Sequence, residues 1–334
     1  MKRFSTLLLA VGLAIGGNLA LASAEPQATG SVLVIGHKNP DTDSIVAAIA
    51  VAHLKNLQGI AAVAVAQGPA NPETQFVLET FHLTAPRVET SVAGRKVILV
   101  DHSDYPQAPA DLAKAEIVGL IDHHKLGGLA TDKPLEAWVF PVGSTSTIIA
   151  RMYATAGVPI PKAIAGGMLC AILSDTVIFK SPTTTPEDRA TATRLAKVAG
   201  IKDPEALGLK LFEVKSQLKG VPAAELLKRD FKTFVMNGRK VGVGQLEVVD
   251  LAILTPMKKD LLQAMVDLKA ENYHSLFLML TDITKEGTEL LLLSDDLAIV
   301  ASAFGAKPQG SSMWLPGVMS RKKQVIPGLE QAFK

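Results

Sequence analysis

One cysteine stands in the chain, Cys170, so no disulfide can form within it and no thiolate-rich cluster can hold a soft metal. Neither sign of charge dominates: 34 Lys and Arg face 32 Asp and Glu. Lys2 and Arg3 account for the whole basic excess, so a chain trimmed of its first segment is balanced. That excludes a general nucleic-acid binder, which carries a clear basic surplus, and leaves room only for a local basic site. After the first 24 residues no stretch approaches the ~20 apolar residues that cross a bilayer. Internal repeats and low-complexity tracts are also missing. What remains is 334 residues, 48% hydrophobic and 20% charged, the composition of a globular chain rather than a disordered one. The length suits two domains of about 150 residues each.

The chain opens MKRFSTLLLAVGLAIGGNLALASAEPQATG, with a basic start, an apolar middle and a small-residue end. Ala22-Ser23-Ala24 matches the A-x-A cleavage pattern, so residues 1–24 read as a signal peptide. The expectation is a soluble exported protein, most simply periplasmic, with no membrane attachment once the leader is gone. The alternatives are an uncleaved anchor, or a cytoplasmic protein if the leader is not used.

From residue 31 to about 200 strand and helix patterns alternate. SVLVIG, AAVAVAQG, KVILVDHSD and EIVGLIDHHK read as strands, the first a continuous apolar run of the kind buried on both faces. DSIVAAIAVAHLKNL, NPETQFVLETFHL, STSTIIARMYATAG, PKAIAGGMLCAILSDT and TPEDRATATRLAKVAG read as helices, several with Pro in the first turn or Gly as a stop. Repeated β-α units imply an α/β fold, a parallel sheet covered by helices on both faces. Near residue 220 a second, smaller α/β region begins. Its strands are RKVGVGQLEVVD, SLFLMLTDIT and TELLLLSD, and its helix is PMKKDLLQAMVDLKAENY. The expected division is a domain over 30–214, a linker over 215–221 and a second domain over 222–334.

Chemistry-bearing residues collect where the strands of the first region end, the place where parallel sheets bind ligands. The first strand leads to His37, Asp41 and Asp43, the third to Asp101, the fourth to Asp122-His123-His124, and an apolar helix ends at Asp175. His37, Asp41, Asp43, Asp101, His123 and Asp175 are therefore the candidate metal ligands. Imidazole and carboxylate donors suit Mn, Fe, Co or Zn. Four carboxylates are too much negative charge for one divalent ion and suit two, held about 3.5–4 Å apart by a bridging carboxylate. Such a pair activates a shared water and clamps an in-line phosphoryl displacement. Taken singly, each Asp has a plainer reading as a cap or turn residue, and Asp43 could be the N-cap of the helix that follows it. His53 and His82 fall in helical patterns as packing or surface residues, and His102 and Asp104 could be either.

GHKNPDTDS, VDHSD, IDHHK, AILSDT with FKSPTTT, and SRKKQ together resemble the family II inorganic pyrophosphatases of the DHH phosphoesterase superfamily, over residues 30 to 334. The resemblance implies a DHH domain followed by a DHHA2-type domain, and hydrolysis of pyrophosphate to two phosphates. It implies two manganese or cobalt ions per site, magnesium arriving with the substrate, and a homodimer. Carried over by motif, His37, Asp41, Asp101 and Asp175 serve one or both metals, and Asp43 and His123 complete the second site with Asp101 bridging. His124 faces the substrate. Arg321 and Lys322 of SRKKQ bind it, and so does Lys232 of RDFKTF.

Physically, a substrate with three to four negative charges needs several cations, Arg as a bidentate donor and Lys as a point charge. Arg321, Lys322 and Lys323 are consecutive, so on a strand or loop they cannot all face one way. Alone, such a run is usually a solvated face. With metals on one domain and cations on the other, closure over the linker would assemble the site and exclude water. The resemblance has one departure, the leader, since family members are usually cytoplasmic. The spacing leaves no room for an inserted nucleotide-sensing domain, so adenylate regulation is not expected. The rival readings are a DHH-type exopolyphosphatase or nucleotide phosphodiesterase, and a non-catalytic periplasmic protein that binds metal or phosphate.

Overall fold

The structure, a computed structural model, describes residues 30–334. The segment read as a signal peptide, residues 1–24, lies outside the described residues. Among the described residues no helix is long and apolar enough to cross a membrane.

The first half holds six strands: β1 (Val32–Ile35), β2 (Ala62–Ala66), β3 (Arg87–Val88), β4 (Lys96–Val100), β5 (Glu116–Asp122) and β6 (Glu136–Val139). They form one sheet in the order β3-β2-β1-β4-β5-β6, with every pairing parallel. The order reverses between β1 and β4, which lie side by side. Such a switch point opens a crevice beyond the carboxyl ends of the two strands. The helices are α1 (Thr42–Leu57), α2 (Pro72–Phe81), α3 (Thr145–Thr155), α4 (Lys162–Asp175), α5 (Pro186–Ala199) and α6 (Pro204–Lys215).

Helical cover is unequal on the two faces. Val32, Val34, Ile98, Val100 and Ile121 pack under the long helices, in one core with Val46, Val51, Ile149, Leu169 and Leu173. The opposite side chains, Leu33, Ile35, Val97, Leu99 and Leu120, are covered by Ala108 and Leu112 from two short 3-10 segments, Tyr105–Gln107 and Leu112–Lys114, and their flanks. Alternation along each strand sends successive residues to these two cores.

The second half is a mixed five-stranded sheet, β11-β10-β9-β8-β7, in which only β8 and β9 run parallel. Its strands are β7 (Phe231–Met236), β8 (Arg239–Val248), β9 (Ser275–Asp282), β10 (Gly287–Ser294) and β11 (Ser312–Pro316). β9 is buried at every position. Leu276, Leu278 and Leu280 face α7 (Ala223–Arg229) and α8 (Lys258–Lys269), whereas Phe277 and Met279 face α9 (Leu297–Phe304) and α10 (Ile326–Ala332). Each such buried side chain contributes about 1.5–3 kcal/mol.

The segment expected to hold the linker is partly helical. α6 continues to Lys215, and Ser216–Pro222 then joins it to α7. The SRKKQ motif is neither strand nor plain loop: Arg321–Val325 form one wide, π-type helical turn.

Two close approaches require glycine. A Cβ on Gly36 would collide with the Ser44 hydroxyl where β1 turns into α1, and one on Gly143 would sit 2.7 Å from Thr176 Cγ2 and 2.8 Å from Asp188 Oδ2. Asp188 is fully buried and ties two helix starts together. It accepts from Gly143 N at 2.8 Å and Thr147 Oγ1 at 2.6 Å, and from Thr185 N at 2.7 Å and Thr185 Oγ1 at 2.6 Å. Asp188→Ala strands four donors in the core. The expected cost is about 3 kcal/mol or more, read as a fall of roughly 6–12 °C in the thermal unfolding midpoint. A fall under about 2 °C would show that the network contributes little.

Candidate active site

The turn after β1 carries the first donors. Asp41 is extended and caps α1, accepting from Ser44 N at 2.9 Å, so Asp41 rather than Asp43 is the N-cap. Asp43 is the second residue of α1 and points inward, fully buried. Four donors from the start of α3 hold it: Ser144 Oγ at 2.9 Å, Thr145 N at 2.6 Å, Ser146 N at 3.0 Å and Ser146 Oγ at 2.7 Å. A helix N-terminus favours a carboxylate there. Burial and the nearby Asp101 charge nevertheless lift Asp43 to about 6.

Asp101 follows β4 with φ 61°, a left-handed conformation that bulky L-residues seldom adopt. The turn aims its carboxylate between two histidines. Oδ2 lies 3.3 Å from His37 Nε2, and Oδ1 lies 3.3 Å from His123 Nε2 and 3.7 Å from His124 Nδ1. Its two oxygens therefore serve two different donor groups, the disposition of a bridging carboxylate. Burial raises its pKa, but the hydrogen bonds from His123 and His37 hold it well below the ordinary range.

His37 Nδ1 donates to Lys38 O at 2.7 Å, and His123 Nδ1 donates to Val142 O at 3.0 Å. A carbonyl only accepts, so a proton sits on Nδ1, and Nε2, the atom turned to Asp101, is the one that becomes a ligand once it sheds its own proton. His37 Nε2 also lies 3.4 Å from Asp41 Oδ2, and His123 Nε2 lies 3.9 Å from Asp175 Oδ2 at the end of α4. Burial lowers the His37 pKa, but the Asp41 and Asp101 carboxylates override it and raise the imidazole to about 10. Burial together with Asp43, Asp41 and Asp101 pushes Asp175 well above the usual carboxylate range.

Three overlapping groups of donor atoms result, each within 4.8 Å: His37, Asp41 and Asp101; Asp43, His123 and Asp175; and Asp101, His123 and His124. All six candidate ligands are thus brought together. Separations near 3.3 Å are those between neighbouring ligand atoms that each lie about 2.1 Å from a common ion. Nitrogen and oxygen donors in this proportion fit borderline or hard divalent ions such as manganese.

His124 is held by Asp122, which accepts from its backbone N at 3.0 Å and from Nδ1 at 2.9 Å. Burial, His123 and Lys232 push the His124 imidazole down to about 3, so it is neutral at pH 7. Asp122 and the hydroxyls of Ser144, Thr145 and Ser146 were not singled out from the sequence. Asp122 reads there as part of the DHH triplet, and the Ser-Thr-Ser-Thr run as a helix start. Thr145 touches both central carboxylates, because its Oγ1 also donates to Asp101 Oδ1 at 3.0 Å. His102 is buried with Nδ1 donating to Val100 O at 2.9 Å, and Asp104 caps the turn at Tyr105. His53 stacks on Tyr153, and His82 ends α2. None of these four reaches the donor groups.

Beyond Asp175 the chain makes three consecutive left-handed residues, Val177, Ile178 and Phe179, with φ of 50°, 52° and 63°. Each costs about 1–2 kcal/mol. The turn delivers Lys180 to the second half, where Nζ donates to Ile283 O at 3.0 Å and lies 3.4 Å from Glu286.

A cleft between the halves joins the two sets of residues. Asp41, Asp101, His123, His124 and Asp175 line one wall, and Lys232, Arg321 and Lys322 line the other. His37 and Asp43 lie buried behind the first wall. Arg321 donates to Asp230 Oδ1 and to Asp230 O, both at 2.8 Å, and Lys322 Nζ donates to His123 O at 2.5 Å. Lys323 is exposed.

Residues 31–172 match the DHH family, N-terminal domain, and residues 209–332 match the DHHA2 domain. A protein from Archaeoglobus fulgidus assigned as a manganese-dependent inorganic pyrophosphatase is 49% identical, over 90% of this chain and 98% of its own. The manganese-dependent inorganic pyrophosphatase of Methanothrix thermoacetophila is 46% identical, over 91% and 99%. A crystal structure from Methanococcus jannaschii assigned to the family II inorganic pyrophosphatases superposes with a TM-score of 0.83 at 41% identity, over 90% of this chain and 98% of that one. These likenesses run through both halves that supply the walls of the cleft, and by them the chain belongs to the family II, manganese-dependent inorganic pyrophosphatases.

Proposed function

We propose that the protein hydrolyses inorganic pyrophosphate to two phosphates with manganese. The observation that carries this reading is the cleft itself: cationic Lys232, Arg321 and Lys322 line it opposite Asp101, His123 and Asp175. His37, Asp41 and Asp101 would hold one ion, and Asp43, Asp101, His123 and Asp175 the other. Cobalt fits the same donors, and magnesium is expected to arrive with the substrate. Divalent ions so held supply a nucleophilic water near neutral pH and Lewis acidity toward phosphoryl oxygens.

The remaining work falls to the chain. Arg321, fixed by Asp230, offers a planar fork to a phosphate, and Lys232 and Lys322 add point charges. Lys322 reaches the His123 carbonyl across the cleft, so an incoming phosphate exchanges one oxygen acceptor for another. His124 donates Nδ1–H to Asp122, which fixes the ring and leaves the neutral Nε2 as a hydrogen-bond acceptor at the cleft wall. Closure of the two walls excludes bulk water.

We divide the chain into a catalytic unit over 30–214, a linker over 215–221 and a substrate-binding unit over 222–334, on the ground that each side has its own main core, with Ile283 and Met319 of the second half joining the first. A homodimer and export to a periplasm after removal of residues 1–24 complete the proposal. Export rests on the leader composition alone. N-terminal sequencing of protein from a periplasmic fraction should begin at Glu25, and recovery of an intact Met1 from the cytoplasm would defeat it.

Phosphate release from pyrophosphate should be faster with manganese than with magnesium alone, and should exceed release from tripolyphosphate or a cyclic dinucleotide. Preference for those longer substrates would overturn the role given to the second wall. Asp101→Ala should lose manganese and turnover together, and full activity with metal bound would refute its bridging role. Thr145→Val keeps the N–H on Asp43 and removes the hydroxyl from Asp101. Manganese affinity by calorimetry should fall about 10–100-fold, and Thr145→Ser should restore it. Unchanged affinity in the valine variant would show that Thr145 does not orient the ligand.

A further inference from the structure

Lys215 is the last residue of α6, at the start of the segment that joins the halves. Its ammonium lies 2.6 Å from Glu247 Oε2 on β8 and 3.4 Å from Glu73 Oε2 on α2. One carboxylate belongs to each half, and the cation between them is carried by the connection.

Each carboxylate leads onward to one wall of the cleft. Glu73 Oε1 accepts from Thr42 Oγ1 at 2.6 Å, and Thr42 stands between Asp41 and Asp43. Glu247 Oε1 lies 3.4 Å from Gln245 Nε2, which also donates to Met319 O at 3.2 Å, two residues before Arg321. A continuous line of polar contacts thus runs from the metal-ligand turn to the cationic turn, with Lys215 at its centre.

Lys322 also crosses, to the neutral His123 carbonyl, and the other ion pairs that cross between the halves are more exposed to water. Lys125–Glu330 is 71% and 43% exposed and Lys180–Glu286 is 34% and 60% exposed, against 25% for Lys215 and 4% for Glu73. Exposed pairs contribute little, whereas an uncompensated buried charge is strongly unfavourable. Rotation about the linker that separates Lys215 from either carboxylate leaves such a charge. The clamp therefore favours the arrangement in which the two walls face each other.

We propose that Lys215 is a positioning residue for pyrophosphate hydrolysis, a clamp that fixes the cationic wall relative to the metal-ligand wall. This rests on the functional reading above. It touches neither substrate nor metal in this role, so its loss should move substrate use and leave metal uptake in place.

The test uses the purified full-length protein, Lys215→Met, Lys215→Arg, and the charge-neutral Glu73→Gln/Lys215→Met/Glu247→Gln. The triple variant leaves no unpaired charge in the core, so it keeps the question open to test if Lys215→Met misfolds. Manganese binding is read by calorimetry, and kcat and KM by phosphate release. In Lys215→Met and the triple variant, kcat/KM should fall about 10–100-fold with the larger share in KM, while manganese affinity stays within about twofold. Lys215→Arg should recover part of the loss. A folded triple variant with wild-type kcat/KM would overturn the clamp, as would a parallel loss of manganese affinity and activity, which marks a role in folding alone. Wild-type protein that fails to hydrolyse pyrophosphate would overturn the functional reading and the clamp with it.

Discussion

Three carboxylates just past two adjacent parallel strands and a fourth at the end of α4 are forced together, and their mutual repulsion is the constraint around which the rest is arranged. Asp43 and Asp101 are buried and Asp41 and Asp175 stand at the edge of the same space, where like charges interact more strongly than in water. Burial, and then the neighbouring carboxylates, lift Asp43 to about 6 and Asp175 well above the usual range. The chain offsets part of the repulsion with its own donors. The start of α3 turns two N–H groups and two hydroxyls onto Asp43, and His37 and His123 bracket Asp101. Divalent cations answer what is left, which is why the donor set reads as a metal centre and not as a salt-bridge network.

The backbone bears strain where this constraint acts. Asp101 takes a left-handed conformation, and Val177, Ile178 and Phe179 take it in succession just after Asp175. Two of those three are β-branched, for which positive φ is especially unfavourable. Val177 and Ile178 are buried, at 2% and 7% exposure, so apolar packing is available to offset the cost. Strain of this kind persists where surrounding structure over-determines it, and such places cluster at functional sites. Here it aims the Asp101 carboxylate between His37 and His123 and delivers Lys180 to the other half.

Much of this was legible in the sequence because the ligands sit at element ends. The strands β1, β2, β4 and β5 and the helices α1 to α5 announce themselves by periodicity and by Pro, Asp, Thr and Gly at their boundaries, and the residues just past the strands are the candidate ligands. Several elements escaped. β3 has two residues and β6 has four, both partly exposed, so neither makes a long apolar run. β7 alternates too weakly, and β11 is a short edge strand with Trp314 exposed. The SRKKQ segment folds as a wide helical turn that its three consecutive cations do not advertise. Asp43 was ambiguous because a carboxylate at the start of a helix serves equally as cap or ligand. Tertiary contact decides, since Asp41 takes the cap and frees Asp43 to turn inward. Contacts between distant segments, such as Thr145 on Asp101 or Lys215 on Glu73, leave no mark in local pattern at all.

The division of labour between the halves follows from charge. Cations placed on the same rigid unit as four carboxylates would pair with them during folding and fill the space the metals need. Carrying Lys232 on the second sheet, and Arg321 and Lys322 on the helical turn packed beside it, keeps the two sets apart until the walls meet. Arg321 is restrained further by Asp230, whose carboxylate and carbonyl oxygens both accept from it. Lys322 reaches only a backbone carbonyl on the opposite wall, an acceptor that a phosphate oxygen can replace. The remaining problem is alignment, because two units joined by a short segment can face each other in many ways. A largely buried cation on that segment, held by one carboxylate from each side, selects among them, alongside the one bond from Lys322 to the His123 carbonyl.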